Sequence, residues 1–85
     1  MVTAELIQNL IAQGLPDCQV NVEGDGRHWY ATVISEVFGG KSLLQQQRLV
    51  YGTLGDRLIK GEIHALSVKT YTPDAWQQVQ GSGSS

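Results

Sequence analysis

Two histidines, one cysteine and a carboxylate in a glycine-rich turn are the residues with the most chemistry to offer: His28, His64, Cys18 and Asp25. A neutral imidazole is a common metal ligand and titrates near neutrality, so a pair of histidines brought together suggests a shared ion or a protonation switch. Two imidazoles alone do not complete a tetrahedral site, which needs about four ligands. Further donors would have to come from Cys18, a carboxylate or a second protein. The single cysteine excludes an internal disulfide and a cysteine-rich metal site, and makes a reducing cytoplasm the default compartment. No nucleophile motif, phosphate-binding loop, dinucleotide fingerprint or paired acid/base arrangement is present, so the reading is of a protein that is not an enzyme.

The elements that must position these residues follow from periodicity. Thr3 to Gln13 has Ile7, Leu10 and Ile11 at helical spacing, with Thr3 as cap and Glu5 at the positive end of the dipole. Gly14 is expected just past the helix, and Pro16 cannot extend it. Gln19–Glu23 alternates, Gly24-Asp25-Gly26 signals a turn, and Trp29–Val37 is rich in β-branched and aromatic residues, which together predict a hairpin with a Glu23–His28 loop.

Ser42-Leu43-Leu44-Gln45 has the form of a capping box opening a helix to about Lys60, with Leu43, Leu44, Val50, Tyr51, Leu54 and Leu58 as its apolar set. Gly52 and Gly55 either divide that helix or mark a close approach to the sheet. A third strand is expected at Ile63–Tyr71, then a helix opened by Thr72-Pro73 and anchored by Trp76 and Val79. The order is α-β-β-α-β-α, or αββααβα with the middle helix divided. This predicts one α/β (α+β) domain over residues 1–80, with Gly81–Ser85 as a flexible Gly/Ser tail of tag or linker character.

A whole helix between strands two and three is the usual crossover between parallel neighbours. His28 immediately precedes strand two and His64 opens strand three, so parallel pairing would bring both to one end of the sheet, in strands about 4.8 Å apart. The plain alternative is that His64, sharing parity with Leu66 and Val68, is a hydrogen-bonded histidine at the core margin, and that His28 is an ordinary surface residue. Cys18, ahead of strand one, belongs at the opposite end.

The run Ile63-His64-Ala65-Leu66-Ser67-Val68-Lys69-Thr70-Tyr71-Thr72-Pro73-Asp74-Ala75-Trp76 resembles the C-terminal signature of BolA proteins. Val37-Phe38-Gly39-Gly40-Lys41-Ser42-Leu43-Leu44 and Arg48-Leu49-Val50-Tyr51 resemble the same family's strand-to-helix junction and central helix, and the short hairpin loop is most similar to its compact YrbA-like branch. The resemblance implies a class II KH-like fold with a three-stranded mixed sheet packed against helices. It also implies a monothiol glutaredoxin as partner, with a [2Fe–2S] cluster bridged between the two proteins. Glutaredoxin and glutathione would supply thiolates, and this chain would supply His64 together with a ligand from the hairpin loop. His28 stands nearest that position and Asp25 is the remaining choice. No cluster is expected in the isolated chain.

Histidine in place of cysteine on one iron raises the reduction potential. Some family members are described as transcriptional regulators, which leaves a KH-like DNA-binding regulator as the alternative function. A net charge of −2 with scattered Lys and Arg gives that alternative little electrostatic support, and Gly52-Thr53-Leu54-Gly55 has the Gly-X-X-Gly spacing but an apolar, helical setting. A homodimer is a further association to consider. No stretch approaches the roughly 20 apolar residues of a membrane span.

Overall fold

The computed structural model describes residues 3–55, 63 and 65–83. Helix α1 (Ala4–Gly14) is capped by Thr3, whose side chain accepts from the Leu6 amide at 3.1 Å, and it buries Ile7 and Ile11. β1 (Gln19–Gly24) and β2 (Trp29–Ile34) form an antiparallel hairpin, with Gly24 opposite Trp29 and Gln19 opposite Ile34. The second strand is shorter than its apolar run, because Ser35 turns the chain. Its hydroxyl accepts from the Val37 amide and opens a single 3₁₀ turn, Glu36–Phe38, that drops Phe38 wholly into the core.

Helix α2 (Leu43–Leu54) opens on the expected capping box, formed from both sides by Ser42 and Gln45. It ends at Leu54, earlier than the apolar pattern suggests, because Gly55 takes a left-handed φ of 54°. Gly52 makes no close approach: a methyl group added there would meet open space. The expected continuation through Leu58 to Lys60 lies outside the described residues. Leu43 and Leu44 are also corrected, at 62% and 58% exposed. Gln46 is the first residue of α2 to turn partly inward, and Val50 and Leu54 follow it at helical spacing into the core.

β3 (Leu66–Tyr71) pairs with β2 in parallel, Trp29 beside Leu66 and Ile34 beside Tyr71, completing a mixed sheet of order β1-β2-β3. Its start is three residues later than expected. Ala65, at φ 47°, is left-handed and breaks the extended run ahead of Leu66, so the parity argument cannot be carried back from Leu66 to His64. Ile63 is nonetheless buried in the core.

Helix α3 (Pro73–Gly83) opens with proline in its first position and the Thr72 hydroxyl accepting from the Ala75 amide. Trp76 is a half-buried anchor set against Tyr71, with ring centroids 5.1 Å apart and planes at 57°. Val79 is not an anchor, at 46% exposed, because the half-buried residues of α3 are confined to its first turn. The helix runs to Gly83, through residues that composition assigns to a tail.

The fold is therefore a three-stranded mixed sheet with α1 over β1 and α2 over β3, and a core between sheet and helices built on Ile7, Ile11, Val33, Phe38 and Val50. No helix among the described residues is long and apolar enough to cross a membrane.

Candidate functional site

The hairpin loop is built by Asp25. One carboxylate oxygen accepts from the amides of both Arg27 and His28 at 2.9 Å, and the Asp25 amide donates to the His28 carbonyl at 3.2 Å. Gly26 supplies the φ of 98° that the turn requires. These amide bonds hold the Asp25 carboxyl below the usual aspartate range, and it is fully exposed. Gly24 closes the strand for a different reason: a side chain there would run into the His28 carbonyl oxygen and the Trp29 ring. The backbone at His28 is thus fixed on both sides, while its imidazole is left exposed.

The parallel register places that loop where the sequence puts it. The Trp29 amide donates to the Ala65 carbonyl at 3.1 Å, so the residues just ahead of β2 and just ahead of β3 share one end of the sheet. His64 itself lies outside the described residues, and so does any distance from it to His28. Among the described residues, no group of three or more His, Cys, Asp or Glu side chains could hold a metal ion.

Cys18 sits at the other end, ahead of the Gln19–Ile34 pair, as the hairpin argument requires. Its thiol donates to the Leu15 carbonyl at 3.4 Å, and burial, with a smaller push from Asp17, raises its pKa, so at neutral pH it is a protonated, half-buried thiol and a poor ligand.

The described residues fit a cluster held mostly by another molecule, and only in part. His28 offers one exposed imidazole on a rigid loop. Asp25 has already committed an oxygen to holding that loop. The Gly-X-X-Gly segment is structural. Thr53 donates its hydroxyl to the Val50 carbonyl within α2, and Leu54 is in the core, so neither residue is presented to a nucleic-acid backbone.

A second feature was not singled out from the sequence. It is a groove of about 380 Å³ on the outer face of the sheet, between the Gln19–Asn21 stretch of β1, Thr32 and Ile34 of β2, and Trp76 and Gln80 of α3. Only Trp76 carried a signal, and it pointed to packing.

Comparison with known proteins agrees with this geometry. The family model described as BolA-like protein matches residues 11–75. The acid stress protein IbaG of Escherichia coli K12 is 39% identical over 70 residues, covering 82% of this chain and 83% of that protein. The DNA-binding transcriptional regulator BolA of Vibrio cholerae is 45% identical over 56 residues, covering 66% of this chain and 52% of that protein. Among solved structures, a BolA protein homologue from Coxiella burnetii superposes with a TM-score of 0.81 at 45% identity, covering 91% of this chain and 99% of its own. Fold, register and sequence agree, and the chain belongs to the BolA family, whose members are regulatory and adaptor proteins rather than enzymes.

Proposed function

We propose that this chain is a cytoplasmic regulatory module of a stress response, and that it acts by binding nucleic acid as a transcriptional regulator. The observation that carries this reading is the kinship with a relative named as a DNA-binding transcriptional regulator, 45% identical over the aligned residues, beside one named as an acid stress protein. The described cations do not form one patch: Lys41 and Arg48 lie at the start of α2 and within it, while Lys69 projects from β3 on the face of the sheet opposite α2. Phosphate contacts are made mainly by such side chains and are lost steeply with salt. The test is fluorescence anisotropy of a labelled synthetic duplex at about 50 to 200 mM salt. Affinity should fall across that range, and Lys69→Ala should reduce the slope of log affinity against log salt by about one. No affinity at the lowest salt overturns the reading.

The register of β2 and β3 favours a second reading: a partnership with a monothiol glutaredoxin in which His64 and His28 ligate a [2Fe–2S] cluster shared with glutathione. The exposed His28 imidazole and the common end of the two parallel strands support it. Such a cluster supplies electron transfer and iron–sulfur cargo, while this chain would supply neutral nitrogen donors on a fixed loop. Mixing the protein with a cluster-loaded monothiol glutaredoxin should change the visible absorption and circular dichroism of the cluster. His64→Ala should suppress the change and His28→Ala should weaken it. An unchanged wild-type spectrum sinks this reading and leaves the first untouched.

A further inference from the structure

β1 is an edge strand, and its backbone pairing can be read from three bonds outside it. Asp25 donates to His28, so the bonded antiparallel pairs alternate from there, through Glu23–Tyr30 and Asn21–Thr32 to Gln19–Ile34. Trp29 and Ser35 donate across to β3, at Ala65 and Tyr71, which agrees with that alternation. The N–H and C=O groups of Val20, Val22 and Gly24 therefore point away from β2, on the side where the sheet has no further strand among the described residues. An unpaired strand edge of this kind is a template for another extended chain.

The groove beside it turns this edge into something more specific. Val20 packs its side chain toward the core, yet it also lines the groove, which places its main chain at the groove's wall. Gln19, Asn21 and Gln80 present carboxamides there and Thr32 a hydroxyl, over an apolar floor of Ile34 and Trp76. Each carboxamide both donates and accepts, which suits polar side chains that an occupant of the β1 edge would turn onto this face of the sheet.

Charge selects the occupant. Neither α1, β1 nor α3 contains a Lys or Arg, while Glu5, Asp17, Glu23, Asp25 and Asp74 lie on those elements or next to them. Among the described cations, Lys69 stands on the far strand beside Thr32, Lys41 and Arg48 belong to the α2 side, and Arg27 in the hairpin loop lies beyond the Gly24 end of β1, away from Gln19 and Asn21. We propose that the free edge of β1 and the adjoining groove dock an extended, positively charged segment of a partner protein, which adds to the sheet as a fourth strand. Main-chain bonds to Val20, Val22 and Gly24 supply the pairing, and the flanking carboxylates supply the preference for lysine and arginine. The same carboxylates disfavour a phosphate backbone and disfavour a second copy of this chain pairing β1 to β1.

The test is a solution NMR titration of the full chain with a synthetic ten-residue peptide of alternating lysine and threonine, carried to millimolar concentration. The expected result is a set of shifts centred on the amides of Val20, Val22 and Gly24 and on the Trp76 indole, weakening with salt. The same peptide with glutamate for lysine should produce none. Val20→Pro, which removes an outward N–H at a position where an edge strand tolerates proline, should abolish the response. Should that variant not fold, Asp17→Asn with Glu23→Gln leaves the backbone intact, and asparagine tolerates the left-handed φ of 49° at position 17. That pair should weaken binding roughly three- to fivefold per charge. The proposal is overturned by equal binding of the glutamate peptide, by shifts centred on Leu66, Val68 and Thr70, by an oligothymidylate giving the same shifts, by β1-to-β1 dimers in the free protein, or by no shift at all.

Discussion

At the residue scale the most consequential atoms belong to Ser35 and Asp25, neither of which carries an apolar signal. Ser35 is the buried polar side chain of the described core. It donates to the Pro16 carbonyl at 3.3 Å and accepts from the Val37 amide at 3.2 Å, tying the link before β1 to the turn after β2. Ser35→Ala leaves both groups without that partner and should cost about 1–3 kcal/mol, read from urea denaturation. Asp25 works through charge. Its pKa is lowered in the folded loop, so its contribution is complete above the ordinary aspartate value of about 3.9 and is lost as pH falls through the lowered folded value. An NMR pH titration should therefore show the Arg27 and His28 amides moving together with a midpoint below that ordinary value. A midpoint at or above it contradicts the bond assignment. Gly-Asp-Gly declared a turn from sequence, but only coordinates show that the carboxylate is spent on the loop and is not idle beside His28.

At the scale of elements, most of the order was legible, since caps and periodicity are local: Thr3, the Ser42–Gln45 box and Thr72-Pro73 each open a helix where expected. What could not be read was set by contacts between elements. Gly14 looked like a helix terminator, yet it is the last residue of α1, and a methyl group there would run into Cγ2 of Thr53 on α2. Its smallness lets the two helices meet. Gly14→Ala should destabilise the protein by about 1–3 kcal/mol, and Thr53→Ser, which deletes the offending methyl while keeping the hydroxyl bond to Val50, should recover part of the loss. Gln46 makes the same point. One side-chain nitrogen donates to the carbonyls of Phe38 and Lys41, and its oxygen accepts from Thr70, so a residue that reads as polar surface clamps the glycine loop and β3 to α2. The candidate site was legible as a topological argument about where β2 and β3 begin, whereas Ala65, in a left-handed conformation that nothing in an alanine announces, shifted the start of β3.

At the scale of the whole molecule, charge and topology divide the protein. Lys41 and Arg48 stand on the α2 side of the sheet and Lys69 on its outer face beside Thr32, while α1, β1 and α3 contain no Lys or Arg. Hydrogen exchange should show the division of labour in the sheet. The Trp29 amide, bonded to Ala65 across the long crossover, should exchange only with global unfolding, while the Asp25 amide, closing a local loop, should exchange through small openings orders of magnitude faster. Comparable rates would mean that the parallel pair opens independently.

The crossover has a consequence for the life of the chain. A hairpin closes early because its strands are neighbours in sequence, but the parallel pair must wait until everything between Ser35 and Ala65 has been made and folded back. Whatever grips the shared end of those strands can recognise a finished molecule and ignore a nascent or truncated one, and by binding only the completed state it draws the folding equilibrium toward itself. A partner docking there, as the cluster reading has it, would be selecting for a completed fold, through the order in which the strands arrive.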